Sequence, residues 1–190
     1  MDVRGLLLCG GASVRFGRDK LVERIGDRHE PMALVSARHL LASVGRVLAV
    51  TRTGRRDLRE ILEAAGCEVM ETDRALEGLG SSLAAGVEAS ADAHGWIVAL
   101  ADMPFVRSET IRAVRVAIEE GAAIAAPIHP ASGKRGHPVG FAAALREELI
   151  AIRGDEGARS VIERHRELVR LIEADDIGIS RDIDRPADLA

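Results

Sequence analysis

The sequence predicts an α/β fold, a three-layer α/β/α, Rossmann-like arrangement built on a mainly parallel sheet. Three observations predict it. Apolar runs of strand length alternate with helix-period segments, which is the signature of βαβ units. The strands are continuously apolar, as expected when helices cover both faces. A glycine-rich loop follows the first strand directly, at the position where open α/β sheets bind ligands.

Val3 to Cys9 is a short strand ending in Gly10 and Gly11. Pro31 to Val44 reads as a helix, with Leu34, Ala37, Leu41 and Val44 on one face and Pro31 suited to a first turn. Arg46 to Thr51 is a second strand. Arg56 to Ala65 is a helix closed by Gly66, and Cys67 to Glu71 is a third strand. Ser82 to Ala91 forms a helix of little bulk. Gly95 to Ala101 (GWIVALA) is the clearest buried strand. Ser108 can cap a helix carrying Ile111, Val114 and Ile118. Ala122 to Ala126 is a strand, followed by a loop over 127–136. His137 to Phe141 resumes a strand and Ala142 to Ile152 a helix. A short helix over Gly157 to His165, a late strand over Leu168 to Glu173 and a helical turn over Asp184 to Leu189 complete the chain. No repeat or linker interrupts the pattern, so 1–190 reads as one domain.

The composition narrows the function. With 47% hydrophobic and 29% charged residues, the 190-residue chain is of ordinary globular type. Aromatics are only 2% and the net charge is −4, which argues against a nucleic-acid partner or an anionic membrane. Cys9 and Cys67 are isolated, so neither a zinc site nor a disulfide framework is indicated, and a reducing cytoplasm is the expected compartment. The apolar run Leu6 to Leu8 is too short for a membrane span.

Six loops carry candidate chemistry. Leu8-Cys9-Gly10-Gly11-Ala12-Ser13 runs on through Arg15 and Gly17 to Lys20. Small residues let backbone N–H groups approach an anion, and Arg15 and Lys20 add the positive charge that a triphosphate requires. The loop is not a P-loop, because Asp19 precedes Lys20 and Leu21 follows it. Asp102, in Ala101-Asp102-Met103-Pro104, ends the most buried strand and can hold Mg²⁺, a cation that prefers one or two carboxylates plus substrate phosphates. Capping the next turn is the bland alternative. Gly80-Ser81-Ser82 joins glycine to a helix start, and either serine could cap that helix or face a base or ribose. Arg135-Gly136-His137-Pro138 is basic and suits an anionic second substrate. Arg159, after Gly154-Asp155-Glu156-Gly157, places a cation at a helix start suited to phosphate. Asp184, in Asp182-Ile183-Asp184-Arg185-Pro186, can be a second metal ligand beside Asp102.

Taken in order, these loops resemble the nucleotidyltransferases that finish the molybdenum cofactor, the MobA-like NTP transferases. The family's Leu-Ala-(Ala/Gly)-Gly loop running to Arg-Met-Gly and Lys corresponds here to Leu8, Cys9, Gly10, Gly11, Arg15, Phe16, Gly17 and Lys20. Asp102-Met103-Pro104 and Asp184-Arg185-Pro186 also match, and the resemblance spans essentially the whole chain. It implies the fold of nucleotide-diphospho-sugar transferases. It also implies that Gly10, Gly11 and Ser13 hold a nucleotide, that Arg15 and Lys20 hold its phosphates, and that Asp102 and Asp184 hold Mg²⁺. The implied reaction is attack of a molybdopterin phosphate on the α-phosphorus of a nucleoside triphosphate, with a molybdoenzyme or its chaperone receiving the product. Segments 80–83, 135–138 and 154–159 resemble the cytidylyl (CTP) branch, whereas Gly10 resembles the guanylyl (GTP) branch. Phe16, Cys9, the charged stretch Glu23 to Met32, which reads as an altered or mobile loop, and 71–74 depart from the family pattern. A related transferase for a sugar or alcohol phosphate, and a non-catalytic cofactor-binding accessory protein, are the alternatives.

Overall fold

A computed structural model of the chain describes residues 2–10, 19–183 and 188. Its sheet has seven strands. In chain order the strands are β1 (Val3–Leu8), β4 (Val47–Thr51), β5 (Glu68–Glu71), β6 (Gly95–Leu100), β7 (Ile124–Ile128), β8 (Val139–Ala142) and β9 (Val169–Glu173), and the spatial order is β5-β4-β1-β6-β8-β7-β9. Pairs β1–β4, β1–β6, β4–β5 and β7–β9 are parallel. β8 alone runs against its neighbours β6 and β7, because the 129–138 loop turns the chain straight back beside the strand it has just left.

Among the described residues six α-helices cover the sheet: α1 (Met32–Val44), α2 (Arg56–Ala65), α3 (Leu79–Ala89), α4 (Ser108–Glu119), α5 (Arg146–Ile150) and α6 (Arg159–Arg164). The continuously apolar strands divide their side chains between two cores, since successive residues point to opposite faces. Val3 and Leu7 of β1, Val47 and Ala49 of β4 and Ile97 of β6 meet α1, α2 and α4 on one face. Leu6, Leu8, Leu48, Val50, Trp96 and Val98 meet α3, α5 and α6 on the other. This is the three-layer arrangement the alternation predicts. Trp96 is fully buried, and its indole N–H donates to Ser90 Oγ at 2.9 Å, which itself donates to the Gly86 carbonyl at 2.6 Å. Gly66 ends α2 in the left-handed region (φ 101°), as its place in the sequence indicates.

The structure differs from the local reading in four places. Pro31 precedes α1 and pairs in a small hairpin of β2 (Arg24–Ile25) with β3 (Glu30–Pro31). The charged 23–32 stretch, read in sequence as an altered or mobile loop, is a tight hairpin: its charged tip faces solvent while Ile25 enters the core. α3 starts at Leu79 rather than Ser82, because acceptors from a distant loop satisfy its first amides (below). Ser108 is the first residue of α4 and makes no capping bond; Asp176, far along the chain, caps that helix instead. The segment expected as one helix over 142–152 is a 3₁₀ turn followed by the short α5. The predicted turn at 184–189 falls largely outside the described residues.

Candidate functional site at the carboxyl edge of the sheet

Lys20 and Asp102 meet at the carboxyl ends of β1 and β6. The Lys20 ammonium lies 2.8 Å from Asp102 Oδ2 and donates to the Ile183 carbonyl at 2.8 Å. Lys20 is buried and the Asp102 side chain about one-fifth exposed, so the pair sits in a partly desolvated edge, where charge interactions are stronger than in water. Asp102 follows β6 directly, and the turn it enters is fixed by two backbone bonds, Ala101 N–H to the Leu8 carbonyl and Ile183 N–H to the Asp102 carbonyl. Asp19, next to Lys20, caps its own 3₁₀ turn and forms an ion pair with the buried guanidinium of Arg55 at the start of α2. Arg55 has no motif around it, only a charged run; its burial appears solely in three dimensions.

The expected nucleotide loop is described up to Gly10. Leu8 and Cys9 are buried and point to opposite faces of the sheet. A Cβ built on Gly10 would lie 3.2 Å from Ser82 Oγ, so the end of β1 and the start of α3 adjoin. Gly11, Ser13, Arg15 and Asp184 lie outside the described residues. Gly80, Ser81 and Ser82 pack inward. Gly80 N–H and Ser81 N–H both donate to the Gly154 carbonyl (2.8 and 3.2 Å), Leu79 N–H donates to Asp155 Oδ1 at 3.1 Å, and Gly154 N–H donates to Ser81 Oγ at 3.0 Å. Ser81 Oγ donates to Glu77 at 2.9 Å and Ser82 Oγ to the Gly78 carbonyl at 3.1 Å. The first amides of α3 are thus taken by the 154–155 loop.

A cavity of about 500 Å³ opens on the α3 side of the same edge. Leu8, Leu83, Val98, Leu100 and Phe141 form its apolar floor, and Arg135, Gly136, His137 and Arg159 reach it from two loops far apart in sequence. Pro138 is buried behind His137. The volume suits a small-molecule ligand. The Arg159 guanidinium is mostly exposed and held by Glu163 at 2.7 Å. His137 is half-buried, yet its Nδ1 is shut off from solvent and finds no partner among the described residues. Burial pushes its pKa below 6.5, against the opposing pull of a Val98 backbone hydrogen bond and the charges of Asp102 and Asp182, so the ring is neutral at neutral pH.

The two cysteines are free and buried. Burial pushes the Cys67 thiol up to about 11 and the Cys9 thiol higher still, which keeps both protonated. Among the described residues no group of three or more His, Cys, Asp or Glu side chains forms a metal cluster. Asp102 is the one carboxylate of the described residues that the expected metal set includes, and its Oδ2 is paired with Lys20. No helix among the described residues is long and apolar enough to cross a membrane.

Comparison with known proteins places this arrangement. A curated relative, nicotine blue oxidoreductase of Paenarthrobacter nicotinovorans, is 30% identical over 197 residues, covering 96% of this chain and 92% of its own. Rv0371c of Mycobacterium tuberculosis H37Rv has the same fold, with a TM-score of 0.85 at 20% identity over 99% of this chain and 95% of its own; it has also been solved as a complex with manganese (TM-score 0.80, 19% identity, 99% and 96% covered). A nucleotidyl transferase from Methanothermobacter thermautotroptrophicus superposes with a TM-score of 0.80 at 20% identity over 98% of this chain and 93% of its own. The model of the MobA-like NTP transferase domain matches residues 5–169, from the first strand through the cavity loops to the last strand. With that match over most of its length, the chain belongs to the MobA-like NTP transferase family.

Proposed function

We propose that the protein transfers CMP from CTP to molybdopterin and releases pyrophosphate. One observation carries the reading: the cavity joins Leu8, at the root of the nucleotide loop, to Arg135, His137 and Arg159, the residues expected to face an acceptor. In this reading a nucleotide held beyond Leu8 and an anionic acceptor on Arg135, His137 and Arg159 share one cavity, the juxtaposition that in-line attack on the α-phosphorus requires. Lys20, with Arg15, neutralises the triphosphate. Asp102, with Asp184, would hold Mg²⁺, which supplies charge neutralisation on the phosphates when bound. His137, being neutral, positions the acceptor rather than adding charge. Segments 80–83, 135–138 and 154–159 favour CTP, and Gly10 favours GTP. The chain is proposed to act in the cytoplasm, its product passing to a molybdoenzyme or its chaperone.

The test is pyrophosphate release from CTP and GTP in competition, with molybdopterin and Mg²⁺ present. Release with CTP preferred is expected. No release from either nucleotide ends the molybdopterin reading, whereas release from GTP alone moves it to the guanylyl branch. Release only with a sugar or alcohol phosphate as acceptor would replace molybdopterin. An accessory protein without turnover would instead bind nucleotide and keep its cellular role in the Asp102→Ala variant.

The curated relative favours a second reading, a redox reaction in the same cavity, because it is 30% identical along nearly the whole chain and is named an oxidoreductase. That reading predicts oxidation of a reduced nicotinamide nucleotide by a redox dye in the presence of the protein; no oxidation removes it.

A further inference from the structure

Residues 176–183 form a strap that crosses the carboxyl edge and touches Lys20, the Asp102 turn and the His137 loop. At its start the Asp176 carboxylate is buried, 3% exposed. Its Oδ2 accepts from Arg107 N–H at 2.9 Å and Thr110 Oγ1 at 2.6 Å, which caps α4, and its Oδ1 accepts from Gly178 N–H at 3.0 Å. Gly178 and, facing the strap, Gly136 sit where no side chain fits. A Cβ on Gly178 would lie 2.2 Å from the Phe105 carbonyl oxygen, and one on Gly136 would lie 1.8 Å from the Ile179 carbonyl oxygen. Ile179 accepts from His137 N–H at 2.8 Å. Arg181 stacks over Phe105 at 4.3 Å. Further along, Ile183 N–H donates to the Asp102 carbonyl at 3.0 Å, and the Ile183 carbonyl accepts from the Lys20 ammonium at 2.8 Å.

We infer that Asp176 is a positioning residue of the site, acting through this strap to hold Lys20, Asp102 and His137 in register. A buried carboxylate at a helix N-terminus is a strong fixed point, because three donors on two elements hold its oxygens in place. No other part of the described chain bonds to the Asp102 turn, the His137 loop and Lys20 together. Weakening the fixed point frees the strap, and Lys20 then loses its carbonyl partner and Asp102 its backbone bond. The catalytic side of this inference rests on the proposed transfer reaction; the structural side does not.

The test uses a feature of the sequence: Lys20 and Lys134 are the only lysines, the first buried and the second exposed. Acylation of the intact protein with an amine-reactive ester, read by peptide mass spectrometry without substrate, gives the accessibility of Lys20 with Lys134 as an internal reference. In Asp176→Ala the Lys20:Lys134 labelling ratio is expected to rise at least fivefold. Thr110→Val, which keeps the carboxylate and removes one donor, should give a smaller rise, and Asp176→Asn, an isosteric replacement, should fall between them. Ser90→Ala, a buried hydroxyl lost at the other end of β6, serves as the destabilised control and should leave the ratio unchanged. An unchanged ratio in folded Thr110→Val and Asp176→Asn overturns the inference, as does an equal rise in Ser90→Ala. If pyrophosphate is released by the wild type, kcat should fall about tenfold in Asp176→Asn with KM for the nucleotide little changed; failure of the transferase reading removes that readout and leaves the labelling result standing.

Discussion

The Lys20 ammonium and the Asp102 carboxylate stand 2.8 Å apart, one after the loop that leaves β1 and the other at the end of β6. Parallel pairing of β1 with β6, Leu8 opposite Leu100, brings the two loops to the same edge. The pair holds the cation expected on a phosphate against the carboxylate expected on a metal.

Replacing Asp102 by Asn should therefore act twice. It removes the charge partner of a buried ammonium, costing on the order of 2 kcal/mol in chemical denaturation. In the transfer assay, turnover should fall about 100-fold or more, a magnitude typical of losing a group that organises developing charge.

His137 makes stability depend on pH. Its native pKa lies below the unfolded value of about 6.5, so the unfolded chain takes up the proton first. The contribution is fully present above about 6.5 and is lost as pH falls from there through the lowered native value. Urea midpoints measured above and below that window should separate in the wild type, and the separation should shrink in His137→Gln.

Gly136→Ala should be among the most damaging single-methyl changes. The added carbon would sit 1.8 Å from the Ile179 carbonyl oxygen, so backbone on one side or the other must move. A loss of about 3 kcal/mol or more in stability is expected, at the upper end for overpacking, together with weakened ligand binding in the cavity by calorimetry.

Asp155→Ala removes the acceptor for the first amide of α3. It should cost about 1 kcal/mol, as loss of a helix cap does, although the cap comes from a distant loop. Hydrogen exchange should quicken at residues 79–81 and 153–157 and stay unchanged in α2.

Ser90→Ala strips the indole N–H of Trp96 of its acceptor inside the core. A loss of about 1–3 kcal/mol in thermal or urea unfolding is expected, the cost of an unsatisfied buried donor.

The sequence determined the layers. Apolar runs of strand length and helical periodicity are local properties of Val3 to Leu8, Gly95 to Leu100 and Ile111 to Ile118, and burial on two faces follows from them directly. It also determined which loops bear charge and glycine, because the strand-loop-helix order puts those loops at one edge. Tertiary structure alone decided what those residues touch. Ser108 looks like a helix cap in sequence, but Asp176 does the capping because the strap arrives at the same amides. Ser81 and Ser82 read in sequence as caps or as contacts to a base or ribose, but the 154–155 loop packs against the start of their helix. Arg55 lies in a charged run indistinguishable from a solvated surface, but folding buries it against Asp19. In each case the partner is remote in the chain, and no local pattern encodes which distant acceptor will reach a given donor. Lys20 and Asp102 are legible as candidates for the same reason that their pairing is not: their chemistry resides in the residues, whereas their 2.8 Å separation is set by the parallel register of two strands and a strap that closes over both.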